Sequence, residues 1–123
     1  MNLVDTSGWL EYMFEGPNAT LFAPPIEDTA NLVVPVICLY EVFKKVLQVA
    51  DESRALKAIG HMKLGHTIEL TEDLALNAAL LSIRHTIPMA DAFIYATTLQ
   101  QSATLWTQDS HFQHLPHVEY FAK

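Results

Sequence analysis

Leu32-Val33-Val34-Pro35-Val36-Ile37-Cys38-Leu39-Tyr40-Glu41-Val42-Phe43 is the stretch from which the rest of the chain is read. Its first three residues form a short apolar run of the kind that makes a fully buried strand. Pro35 then opens a helix, because proline suits the first helical position and nothing later in the run breaks it. That helix is expected to reach about Ala50. A buried strand passing straight into a helix is the repeating unit of an α/β fold.

The alternation continues in both directions. Upstream, Asn2-Leu3-Val4 reads as a short buried strand and Asp5-Thr6-Ser7 as the cap of a helix from Gly8 to Glu15. Gly16-Pro17 ends that helix, and Pro24-Pro25 punctuates a short helical stretch expected near Ile26 to Ala30. Downstream, Asp51 to Leu64 reads as a helix closed by Gly65, and His66 to Leu70 as a third strand. Thr71-Glu72 starts another helix, and Pro88 begins one that runs to about Gln101. Thr104 to Thr107 is a fourth strand and Val118 to Phe121 a short fifth. The expectation is a single three-layer α/β domain over residues 1–123, with a central, mostly parallel sheet of four to five strands flanked by helices. In such sheets functional groups gather beyond the carboxyl ends of the strands.

Composition narrows the class. The chain has 123 residues, half of them hydrophobic, enough for one core. No apolar run approaches the ~20 residues of a membrane helix, and the first residues lack the cationic head of a signal peptide. One cysteine, Cys38, permits no internal disulfide, so a cytoplasmic location is expected. The net charge of -7 argues against a nucleic-acid partner at first sight. Two divalent ions held by carboxylates would bring it to about -3, that is -7 plus 4. The segment from Lys44 to Lys63 is also net +3, with Lys44, Lys45, Arg54, Lys57 and Lys63 against Asp51 and Glu52. A solvated helix face is the plainer account of that segment, and an RNA-tracking patch the sharper one.

Four acidic residues stand in surroundings that do not suit them. Asp5 is the only charged residue of the first ten, and Glu41 the only charge between Asn31 and Lys44. Asp91 is the only formal charge between Arg84 and Asp109, with Met89, Ala90, Ala92 and Phe93 around it. Asp109 follows the strand Leu105-Trp106-Thr107, at the same sheet edge as Asp5. Taken singly, Asp5 is a helix cap, Glu41 a partner of Lys45 one turn on, Asp91 a first-turn acid favoured by the helix dipole, and Asp109 the start of a turn. Taken together, isolated carboxylates among core residues are costly without partners, and basic residues are few. Oxygen donors of this kind favour Mg²⁺ or Mn²⁺ over zinc. Two such ions activate a water and stabilise a leaving oxygen in phosphodiester hydrolysis.

Val4-Asp5-Thr6-Ser7, Tyr40-Glu41-Val42, Ala90-Asp91-Ala92-Phe93-Ile94-Tyr95-Ala96-Thr97 and Leu105-Trp106-Thr107-Gln108-Asp109-Ser110-His111-Phe112, in this order, resemble a PIN domain of the VapC toxin type. The resemblance covers the whole chain. It implies a Mg²⁺- or Mn²⁺-dependent endoribonuclease, a homodimer, a cognate antitoxin protein, and structured RNA such as transfer or ribosomal RNA as substrate. It implies metal-ligand roles for Asp5, Asp91 and Asp109, and for Glu41 directly or through water. Thr107, and with less support Thr6, resemble the family's hydroxyls behind the ligands. Where the family often has glycine before the fourth strand, this chain has Gln101-Ser102, read as a change in a surface turn. Two other readings stay open: a catalytically silent binding protein of the same fold, and a phospho-receiver-like module.

Further signals have plainer accounts. His111, His114 and His117 are spaced by three, but Pro116 interrupts any helix there; an exposed loop, with His111 near RNA phosphate, is expected rather than a zinc site. Cys38 and Trp106 read as core residues. Trp9, Tyr12, Met13 and Phe14 crowd the first helix, and the excess suggests a hydrophobic groove for a partner helix.

Overall fold

The computed structural model describes all residues, Met1–Lys123. Five strands make one sheet: β1 (Asn2–Val4), β2 (Leu32–Pro35), β3 (His66–Ile68), β4 (Thr104–Thr107) and β5 (Val118–Tyr120). Their spatial order is β3-β2-β1-β4-β5, and all four pairings are parallel. Six helices flank the sheet: α1 (Thr6–Met13), α2 (Ala19–Glu27), α3 (Val36–Val49), α4 (Glu52–Met62), α5 (Glu72–His85) and α6 (Met89–Gln100). The α/β architecture expected from the sequence is therefore present, with five strands. A phospho-receiver sheet runs in the order 2-1-3-4-5. The observed order excludes that reading.

The chain leaves β1 to build β2 and β3 on one side, then crosses to the other side for β4 and β5. The order thus reverses between β1 and β4, and the crevice at such a switch point is the natural binding place of an open parallel sheet. The inner strands are buried on both faces, as Leu3, Val4, Leu32, Val33, Val34 and Leu105 show. That explains their continuous apolar composition.

Local sequence accounts for the helices. Asp5 caps α1 by accepting the Gly8 N–H, Asp51 caps α4 through the Arg54 N–H, and Thr71 caps α5 through the Leu74 N–H. On α3, Cys38, Val42 and Val46 form the buried stripe at four-residue spacing. Gly8 is a close approach: an added Cβ would lie 2.6 Å from Val4 and 2.7 Å from Phe22, so a larger residue would push α2 away.

The second helix differs from expectation. It begins at Ala19, well before the prolines, and Pro24 and Pro25 lie inside it. Each proline removes a bond to the carbonyl four residues back, on Thr20 and Leu21. Both of those residues are exposed, and Pro25 is buried as packing surface.

Candidate active site

Asp5 stands directly after β1, at the carboxyl end of the central strand, and its side chain is only 2% exposed. Its Oδ1 accepts from the Ser7 hydroxyl at 2.7 Å and the Gly8 N–H at 3.0 Å. Its Oδ2 accepts from the Thr107 hydroxyl at 2.6 Å. Asp5 is thus both the cap of α1 and a member of the acid cluster, two roles that the sequence presents as alternatives. Burial raises its pKa from 3.8 to about 6, against the opposing bonds from Thr107, Ser7 and Gly8; the charge of Asp109 adds to the rise.

The register Val4↔Trp106 sets Asp5 beside Thr107. Thr107 is fully buried, and its oxygen accepts the Asp109 N–H at 2.9 Å while its proton goes to Asp5. Asp109 in turn caps a one-turn 3₁₀ helix, Ser110–Phe112, by accepting the His111 N–H at 2.9 Å.

Asp91 lies in the first turn of α6, as the helix dipole favours, yet its carboxylate caps nothing there. Its Oδ2 meets His111 Nδ1 at 2.8 Å, and the same nitrogen is 3.2 Å from Asp109 Oδ1. Burial is the main cause that raises the Asp91 pKa to about 6. The charges of Asp109 and Glu41 add to it, and His111 opposes. Glu41, on the flank of the α3 stripe, accepts from the Thr6 hydroxyl at 2.6 Å. It does not pair with Lys45. No lysine or arginine forms an ion pair with any of the four acids; the one Arg pair in the protein is Arg54 with Asp51 at 3.9 Å.

The four acids come from four separate stretches and lean on one another electrostatically; hydroxyls flank Asp5 and Glu41, the His111 imidazole joins Asp91 and Asp109, and no lysine or arginine reaches them. That donor set fits a hard divalent ion. His111, expected in an exposed loop, joins the acids instead. Its partner Asp91 is 20 positions away, and only the placement of α6 beside the end of β4 brings them together. His114 and His117 do not join the group. Cys38 is fully buried, as expected, and burial pushes its thiol well up, out of nucleophilic use. Trp106 is half-buried rather than fully core, and its Nε1 donates to Asn2 Oδ1 at 3.0 Å.

The groove expected on α1 exists but is built differently. Trp9 is fully buried and belongs to the core, so it is not available to a partner. Tyr12, Met13 and Phe14 do line a groove of about 750 Å³ between α1, α2 and α4, rimmed by Arg54 and Lys57. Lys44 and Lys45 lie elsewhere, along a second hollow that contains Thr6 and Glu41. The basic segment is therefore split between two sites.

A model of the PIN domain matches residues 3–118. The chain belongs to the PIN domain family. No curated protein matches it. Among solved structures, this PIN domain is similar to a chain of a toxin–antitoxin complex from Klebsiella pneumoniae, at 21% identity and TM-score 0.82 over 100% of both chains. It is similar to VapC20 from Mycobacterium tuberculosis, described as a toxin that cleaves the sarcin–ricin loop, at 16% identity and TM-score 0.80 over 94% of this chain and 95% of that one. A DNA-bound VapBC from Salmonella typhimurium matches at 12% identity and TM-score 0.75, over 99% and 98%. The PIN domain thus shares its fold with VapC toxins. No helix in it is long and apolar enough to cross a membrane.

Proposed function

We propose that residues 1–123 act as one Mg²⁺- or Mn²⁺-dependent endoribonuclease domain, the toxin of a toxin–antitoxin pair working in the cytoplasm. One observation carries the reading: Asp109 acts through its charge on both Asp5 and Asp91, and Glu41 on Asp91, with no lysine or arginine to neutralise them, while Asp91 and Asp109 alone of the four lie at ligand distance from each other. Membership of the PIN family and the fold shared with VapC toxins support it.

In this reading Asp5, Asp91 and Asp109 hold the ions, and Glu41 does so directly or through water. An ion held there would supply a lowered pKa for an attacking water and a counter-charge for the leaving oxygen. The chain's own contribution is orientation. Thr107 and Ser7 fix the two oxygens of Asp5, and Thr6 fixes one oxygen of Glu41, which aligns the attacking water. Water adds to phosphorus as the P–O bond to the leaving ribose oxygen breaks; one proton of the water ends on that oxygen by way of solvent, and the phosphate group remains on the other fragment. Lys44 and Lys45, in the hollow next to Glu41, supply positive charge for an RNA backbone that the net charge of -7 otherwise repels. Structured RNA of the transfer or ribosomal kind is the proposed substrate.

The groove of Tyr12, Met13 and Phe14 is the proposed seat of a cognate antitoxin helix. A homodimer is proposed through α5, where Leu76, Leu80 and Ile83 form an exposed apolar stripe at helical spacing. The test is cleavage of structured RNA by purified protein. Cutting should require Mg²⁺ or Mn²⁺, stop in EDTA, and disappear in Asp5→Asn and Asp91→Asn samples that remain folded. Persistent cutting by both variants would remove this site from consideration.

A further inference from the structure

We propose that His111 is a ligand of the bound ion through Nδ1, making the site a mixed nitrogen–oxygen centre that prefers Mn²⁺ to Mg²⁺. The inference rests on the metal-site reading above and adds a donor that oxygen chemistry alone does not anticipate.

Three donor atoms from three positions meet at the mouth of the cluster. His111 Nδ1 is 2.8 Å from Asp91 Oδ2 and 3.2 Å from Asp109 Oδ1, and the ligand atoms of the three residues all lie within 4.8 Å of one another. Adjacent donors around a six-coordinate ion with bonds of about 2.1 Å stand about 3 Å apart. His111 Nδ1 therefore already holds the spacing of a neighbouring ligand to each carboxylate, and the two carboxylates lie within 4.8 Å of each other.

The backbone explains why the imidazole stays there. His111 sits in the 3₁₀ turn that Asp109 caps, with its N–H bound to the carboxylate at 2.9 Å. Phe112, the next residue, is fully buried, and its N–H donates to the Asp109 carbonyl at 3.1 Å. The turn is anchored from below, so the ring is aimed at the acids while 55% of its side chain remains exposed. His114 and His117 contribute nothing to the cluster, so this is a single nitrogen joining carboxylates and not a histidine-rich zinc set.

Donor type then sets selectivity. Mg²⁺ takes oxygen donors almost exclusively, whereas imidazole belongs to transition-metal sites. Of the two ions, Mn²⁺, a transition metal that takes carboxylates, is the one that also accepts an imidazole nitrogen.

The experiment adds Mn²⁺ to the full chain at pH 8 and records pulsed electron paramagnetic resonance, with calorimetric titrations of Mn²⁺ and Mg²⁺ alongside. The wild type should show coupling to an imidazole nitrogen, and His111→Ala and His111→Gln should lack it. Mn²⁺ affinity should fall about tenfold or more in both variants, and Mg²⁺ affinity by less than about threefold. Melting curves verify that the variants are folded. Bound Mn²⁺ without nitrogen coupling, or variants that bind Mn²⁺ as well as wild type, would overturn the role of His111 and leave the carboxylate site standing. Failure of Mn²⁺ to bind wild type, or equal binding to Asp91→Asn, would overturn the metal site and this inference together.

Discussion

The Thr107 hydroxyl donates to Asp5 Oδ2 at 2.6 Å and accepts the Asp109 N–H at 2.9 Å, joining the ends of the two central strands. Thr107→Val keeps the shape and removes both links. It should cost roughly 1–3 kcal/mol of stability, since a buried carboxylate and an amide lose partners. It should also lower RNA cleavage roughly 10- to 100-fold, as loss of a residue behind a ligand does. Thr107→Ser should restore most of both. Urea unfolding and cleavage rates for the pair check this, and a fully active Thr107→Val would show that the hydroxyl orients nothing.

Without metal, stability should fall as pH rises from about 4 to about 6. Asp5 and Asp91 have folded pKa values raised from 3.8 to about 6, so the folded state holds protons that the unfolded chain has released. Under linkage the unfolded chain then binds fewer protons, and the penalty is complete above about pH 6. For fully buried Asp5 the rise corresponds to about 3 kcal/mol. Asp109→Asn removes a charge that raises both groups, so in EDTA at pH 7 it should melt at or above the wild-type temperature. Mg²⁺ at ten times its dissociation constant should stabilise wild type by about 1.4 kcal/mol, a shift of roughly 3–6 °C, and Asp109→Asn much less. A variant that melts well below wild type in EDTA would mean that Asp109 is a structural partner.

Antitoxin binding should depend on the α1–α2–α4 groove and not on Trp9. Phe14→Glu and Lys57→Glu should weaken binding of the neighbour-encoded antitoxin while RNA cutting by the free protein persists. Calorimetry with an antitoxin peptide measures this, and unchanged affinity in both variants places the partner elsewhere.

Self-association should fail when the α5 stripe is charged. Ile83, 83% exposed, and Leu80 are the positions to change, each to glutamate. Light scattering should then report a monomer. A dimer that survives both changes uses another face.

Ser102 occupies the left-handed region, at φ 51°, between α6 and β4. The glycine that the family often places before this strand is therefore missing at a position whose backbone favours it. Ser102→Gly should stabilise the protein by about 1 kcal/mol, read from denaturant midpoints, because the Cβ strain of this conformation is removed. No gain would mean that the turn tolerates serine without strain.

Much of this was legible along the chain, for a physical reason in each case. The inner strands announce themselves because burial on both faces demands unbroken apolar runs, and Asp5, Glu41 and Asp91 stand out because each is a lone charge in such a run. What one dimension hides is adjacency. His111 reads as a loop residue in one dimension because its partner Asp91 is set by the placement of α6. Trp9 reads as groove because an aromatic excess does not reveal which ring faces inward. The early start of α2 is hidden because prolines signal a break, whereas here their lost bonds fall on exposed Thr20 and Leu21.

The register that seats Asp5 beside Thr107 also sets where this chain tolerates insertions. Strand side chains alternate, so slipping β4 by one residue against β1 would turn Thr107 from the acid to the opposite face. The two-residue step from Thr107 to Asp109 and the abutment of Val4 and Asp5 allow no added residue. The connection between β3 and α5, exposed at Glu69 and Leu70, has no such bond to keep, and surface loops absorb length changes at little cost. Drift in length is thus confined to the far loops, while a few short intervals stay rigid. Chains of 12–21% identity that superimpose over nearly their whole length are compatible with that division.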